Sequence, residues 1–133
     1  MPGSLTPREA YARVALDARV GGAGPGELVE LCLEALIEAL DGALHAHRTG
    51  DPAAKSKAMG RAVSALTGLI LGVVPGVPLA APLTLLYGAA RREVLDSVVR
   101  FDPAALTTLR ADFAAIRQAL RPSGPAPRDP ELV

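Results

Sequence analysis

No charged side chain occurs between Arg61 and Arg91. Such a run is either a membrane span or the closed end of a helical hairpin, and choosing between them decides the fold. A helix needs about 20 consecutive apolar residues to cross a bilayer. Here Pro75, Pro78 and Pro82 divide the run into Ala62–Val74 and a second piece that begins near Pro78. Each piece has the length of a buried helix end. Gly68-x-x-x-Gly72-x-x-x-Gly76 has the spacing that lets helices approach closely in lipid. Pro75-Gly76, however, reads as a turn, and Pro78 suits the first turn of a new helix. The sequence therefore predicts a helix hairpin whose closed end is buried or faces a partner, with no membrane span. Near the N-terminus, Arg8, Glu9, Arg13, Asp17 and Arg19 leave no room for the apolar core of a signal peptide.

Composition narrows the function classes. The 133 residues include 14 basic and 14 acidic side chains, so the formal charge is zero. That balance excludes a typical nucleic-acid binder, which needs a basic surface to displace counterions from phosphates. With no Trp, two Phe and two Tyr, little is available for base stacking. Half the chain is hydrophobic, much of it Ala and Leu, the best apolar helix formers. An all-α protein is expected. The single Cys32 rules out an intramolecular disulfide, and a cytoplasmic location is the expectation.

Turn signals divide the chain into three parts. Residues 1–20 form an N-terminal segment, expected to be mobile, with a short helical pattern from Tyr11 to Ala18. Residues 21–120 carry the helical bundle, and residues 121–133 are Pro-rich and expected to be disordered. Gly24-Pro25-Gly26 opens a first long helix, in which Leu28, Leu31, Cys32, Ala35, Leu36, Ala39 and Leu40 recur at three- and four-residue intervals. It ends at Thr49-Gly50. Asp51-Pro52 is an N-cap followed by Pro at the first helical position, so a second helix should run to about Gly72. A third helix is expected from Pro78 to about Arg100, with Pro82 bending its first turn or marking a later start. Asp102-Pro103 repeats the cap signal for a fourth helix ending at Leu120, with Leu106, Leu109, Phe113 and Ile116 on one face. Short connections make an antiparallel four-helix bundle the expected architecture.

Catalytic chemistry finds no support in these residues. His45 and His47 lie two apart, on nearly opposite sides of a helix, whereas a metal pair needs three- or four-residue spacing. They read as solvated histidines near a helix C-terminus. Cys32 sits in an apolar stripe without a basic neighbour and reads as a small core residue. Gly24-Pro25-Gly26 lacks the Lys-Ser/Thr ending of a phosphate loop. No enzyme, cofactor or metal is expected. What stands out is surplus aliphatic surface, because a bundle core needs only about three apolar positions in seven. The surplus suits a groove that another amphipathic segment covers, or self-association.

Four stretches together resemble the FliS family of flagellar secretion chaperones. Ala10-Tyr11 followed by Val14 is similar to the family's N-terminal Ala-Tyr segment. Gly24-Pro25-Gly26-Glu27-Leu28-Val29 resembles its Ser-Pro-Gly-Glu-Leu-Val. Leu79-Ala80, Leu83, Leu86 and Tyr87 match its Ile-Ala-x-x-Leu-x-x-Leu-Tyr spacing, and Phe101-Asp102 with Ala105-Leu106 stands where the family has Asn-Asp and Ala-Leu. The chain departs from that pattern at Pro82, Gly88-Ala89 and Gly72. The resemblance spans about Tyr11 to Leu120. It implies a chaperone that wraps the disordered C-terminal segment of flagellin, prevents premature polymerisation and presents the client to the export apparatus. It also implies that the Tyr-bearing N-terminal segment covers the apolar surface until the client arrives. Tyr11, Val14, Leu28, Leu83, Leu86, Tyr87, Leu95 and Val98 are the expected partner contacts. A self-associating bundle, a homodimer included, or a small membrane-associated protein using run 62–90 remains the alternative.

Overall fold

The computed structural model describes residues 24–120. Four helices follow one another: α1 (Gly24–Thr49), α2 (Pro52–Leu71), α3 (Ala80–Val99) and α4 (Pro103–Leu120). The expected helical segment at Tyr11–Ala18 and the tail 121–133 lie outside the described residues.

The turn residues set these boundaries. At the end of α1 the Thr49 hydroxyl donates to the His45 carbonyl (3.1 Å), and Gly50 takes a φ of 70° that side chains resist. The Asp51 N–H then donates to the Ala46 carbonyl (2.9 Å), which closes the helix end. Asp51 Oδ1 accepts from the Ala54 N–H (3.1 Å), and Pro52 fills the first helical position. Asp102 repeats the device, accepting from the Ala105 N–H at 3.1 Å ahead of Pro103. The third helix begins at Ala80, two residues later than Pro78. Pro82 is consequently its third residue, where the missing N–H would have had no helical partner. Of the two expectations for Pro82, the later start is the one observed.

The chain direction follows from side-chain contacts. A Cβ built on Gly42 would lie 3.6 Å from the Ala58 Cβ, and one on Gly68 would lie 3.0 Å from Cys32 Sγ. Because the pairings run in opposite sequence order, α1 and α2 are antiparallel. Arg110 pairs with Asp41 (2.8 Å) and Arg117 with Glu34 (2.8 Å) and Glu30 (3.2 Å), so α1 and α4 are antiparallel as well. Helix α3 packs chiefly on α2, where Arg91 Nε donates to Thr67 Oγ1 (3.0 Å), and it barely touches α4. Among the described residues, one long face of α3 is thus left without a neighbour.

Among the described residues the core is aliphatic with two aromatic fillers, Tyr87 and Phe113. Leu33, Leu36 and Leu40 of α1 meet Leu66 and Leu69 of α2, Val94 and Tyr87 of α3, and Leu106, Phe113 and Ile116 of α4. Ala39, Ala43, Ala58, Ala62 and Ala90 are also buried, and their small side chains let the helix axes approach. At the end of the bundle opposite the α2–α3 turn, the exposed His47 ring stacks on Phe101 with centroids 4.4 Å apart. Lys55 Nζ lies 3.3 Å from His47 Nδ1 and 4.6 Å from the centroid of the Phe101 ring. His47 is therefore a packing residue that joins the α1–α2 and α3–α4 turns. No helix among the described residues is long and apolar enough to cross a membrane.

Candidate functional site, an open apolar surface

The α2–α3 end of the bundle carries an apolar groove of about 300 Å³ lined by Leu28, Val29, Cys32, Gly68, Leu69, Gly72 and Val74. Its origin lies in the glycine spacing of the uncharged run. With only hydrogen at Gly68, Cys32 Sγ approaches the α2 backbone too closely to leave space for a methyl group. The two helices close over the sulfur, and the wall at Gly72 stays low. The small-residue spacing typical of lipid-embedded helices here serves a close helix contact in a bundle. Leu28 and Leu31 of α1, Leu71 of α2 and Val74 of the turn that follows are exposed near the groove, a concentration of apolar surface that a monomer rarely leaves bare.

Cys32 is half-buried, not a full core residue, and burial pushes its thiol pKa upward. Desolvation disfavours the thiolate, and the sulfur forms part of the groove's apolar wall. Among the described residues no cluster of three or more His, Cys, Asp or Glu could hold a metal ion.

The expected contact residues fall into three groups. Leu28, Leu95 and Val98 are exposed and reachable. Leu86 is half-buried against the core, while Leu83 and Tyr87 are 3% and 2% exposed and form part of the core itself. Burial drives the Tyr87 hydroxyl pKa far above the usual tyrosine range. Tyr11 and Val14 lie outside the described residues. Leu28 belongs to the groove, whereas Leu95 and Val98 lie near the far end of α3, so the structure does not gather these positions into one spot. Leu31, Leu71, Val74, Leu85 and Val99 are exposed aliphatics not expected as contacts. Leu31 was visible as part of the wide α1 stripe. Nothing local distinguishes outward Leu85 from inward Leu83.

Comparison with known proteins adds one match. The family model described as flagellar protein FliS matches residues 7–122 of the chain. No curated protein and no solved structure matches.

Proposed function

The chain belongs to the FliS family of flagellar proteins and is a flagellar export chaperone; from that premise we propose that its client is the disordered C-terminal segment of flagellin. The complex forms in the cytoplasm, keeps flagellin from polymerising before export and hands it to the export apparatus. The observation that supports this reading is the apolar groove between α1 and α2, flanked by exposed Leu28, Leu31, Leu71 and Val74. A client segment that gains helix on contact can cover such a surface with its apolar face. Burial drives the association, and ordering of the client opposes it by about 2–5 kcal/mol. Leu95 and Val98 extend the contact along the edge of α3, and the half-buried Leu86 is reached where the client passes. Leu83 and Tyr87 contribute indirectly by fixing α3 on α2. Residues 1–20, with Tyr11 and Val14, cover the surface before the client arrives.

The experiment is titration of the chain with its cognate flagellin's C-terminal segment, using the native sequence and Leu28→Asp. Tight one-to-one binding, weakened at least tenfold by L28D with helix content unchanged, supports the proposal. No binding by a folded native chain refutes it.

A further inference from the structure

The groove at the closed end of the α1–α2 pair is one stretch of a longer seam. Lys57, Arg61, Ser64, Gly68 and Gly72 follow one another at three- and four-residue intervals, so they share one face of α2. Gly68 and Gly72 line the groove, while Lys57, Arg61 and Ser64 are exposed. Across the seam, Cys32 meets Gly68 and Gly42 meets Ala58 in antiparallel register, which puts Leu28 level with Gly72. Beyond Cys32, α1 presents the exposed Ala35 and the half-buried Gly42. Small residues thus floor the seam between the groove and its other end.

Along this seam the chemistry changes from apolar to cationic. Arg61 and Lys57 stand seven and eleven residues before Gly68, which is about 10 and 16 Å along the helix. Several cations of the bundle are engaged elsewhere. Arg110 and Arg117 tie α4 to α1, Arg91 donates to Thr67, and Lys55 lies over the Phe101 ring. Within the described residues Lys57 and Arg61 take part in no ion pair. Glu38, exposed on α1 at the level of Arg61, pairs with neither of them. Two like charges one turn apart repel each other in the free chain. Carboxylates supplied by a partner remove that repulsion and replace it with attraction.

Resting on the groove as the client's site, we propose that the client segment lies along the whole α1–α2 seam, with apolar side chains against Gly68 and Gly72 and carboxylates on Arg61 and Lys57. A client helix running beside α2 matches this surface with two apolar residues four apart. An acidic residue follows seven positions on, and a second stands four positions beyond it. Lys57 and Arg61 are therefore specificity-determining residues. Apolar burial supplies most of the affinity. The two cations reject a segment that is basic at the matching positions, and they fix which end of the segment enters the groove.

The test is titration of the full chain with its cognate flagellin's C-terminal segment at about 50 and 500 mM NaCl, which screen exposed charges to different extents. The native chain is compared with Leu28→Asp and with the double variant Lys57→Glu, Arg61→Glu. At low salt the double variant is expected to bind about tenfold more weakly, with helix content unchanged by circular dichroism. The native complex weakens about fivefold at high salt, and the double variant loses this dependence. Segments in which acidic residues four apart are replaced by Lys are then titrated against both chains. One of them binds the double variant more tightly than the native segment does, a recovery that altered folding of the chain cannot produce. Native affinity in the double variant, alongside weakened binding by L28D, overturns this proposal and leaves the client in the groove. Weakened binding by the double variant that no charge-exchanged segment restores overturns it as well. No binding by the folded native chain overturns both this proposal and the groove as the client's site.

Discussion

Replacing Gly68 with Ala separates two opposing effects that the structure sets against each other. Gly68 lies inside α2, where Ala is favoured over Gly by about 0.8–1 kcal/mol. The added methyl would lie 3.0 Å from Cys32 Sγ, about 0.5 Å or more inside the separation at which such atoms attract. Cys32 is short and half-buried, so it escapes by leaving its rotamer well, at a cost of roughly 0.5–1.5 kcal/mol. The terms nearly cancel, and Gly68→Ala on its own should change stability by less than about 0.5 kcal/mol. In a Cys32→Ala background the sulfur is gone and the propensity gain appears in full, as about 1 kcal/mol or a rise in Tm of roughly 4–8 °C. The coupling between the two substitutions is therefore about 1 kcal/mol. Urea or thermal unfolding of the four proteins, followed by circular dichroism, measures it. If Gly68→Ala stabilises both backgrounds equally, the helices do not close over Cys32 as described, and the derivation of the groove fails with them.

The other predictions concern the core, the buried Tyr87 and the groove thiol. Phe113→Ala removes a ring that is 1% exposed and should cost about 3–5 kcal/mol in urea unfolding; a loss below 1 kcal/mol would show that α4 is not packed as described. The Tyr87 hydroxyl stays protonated in the fold well above the usual tyrosine pKa of 10.0, at which the unfolded chain ionises. Its contribution is thus fully present below about pH 10 and lost as pH rises past that point, by up to about 1.4 kcal/mol per pH unit. Tyr87→Phe removes this part of the alkaline loss, and equal pH dependence in both proteins would contradict the burial. Cys32 should react with iodoacetamide more slowly than a free thiol at neutral pH, because burial raises its pKa. Bound flagellin segment should slow the reaction further, and an unchanged rate in a saturated complex would remove the client from the groove.

What the sequence disclosed depended on whether the signal was local. Asp51-Pro52 and Asp102-Pro103 marked helix starts because an N-cap and a proline act within one turn, and both caps are present. Pro75 and Pro78 fall in the turn that divides the uncharged run, whereas Pro82 lies within the first turn of α3. The spacing around Gly68 read only as that of a lipid-embedded contact, because the position of Cys32 across the helix pair, which makes it a close approach within the bundle, is not a local signal. Leu83 and Leu85 share a residue type and a helix, and one is core while the other is 74% exposed. The difference arises because α3 packs chiefly on α2 and barely on α4, a long-range fact. The stack of His47 on Phe101 likewise joins residues from two separate turns, so a local reading of His47 as a solvated helix-end residue could not anticipate it.

The most direct test is calorimetric titration of the full chain with the C-terminal segment of its cognate flagellin, with helix content followed in parallel. A saturable one-to-one complex, accompanied by more helix than the two components contribute separately, is the predicted result. A folded chain that shows neither binding heat nor helix gain at concentrations up to about 100 µM would contradict it.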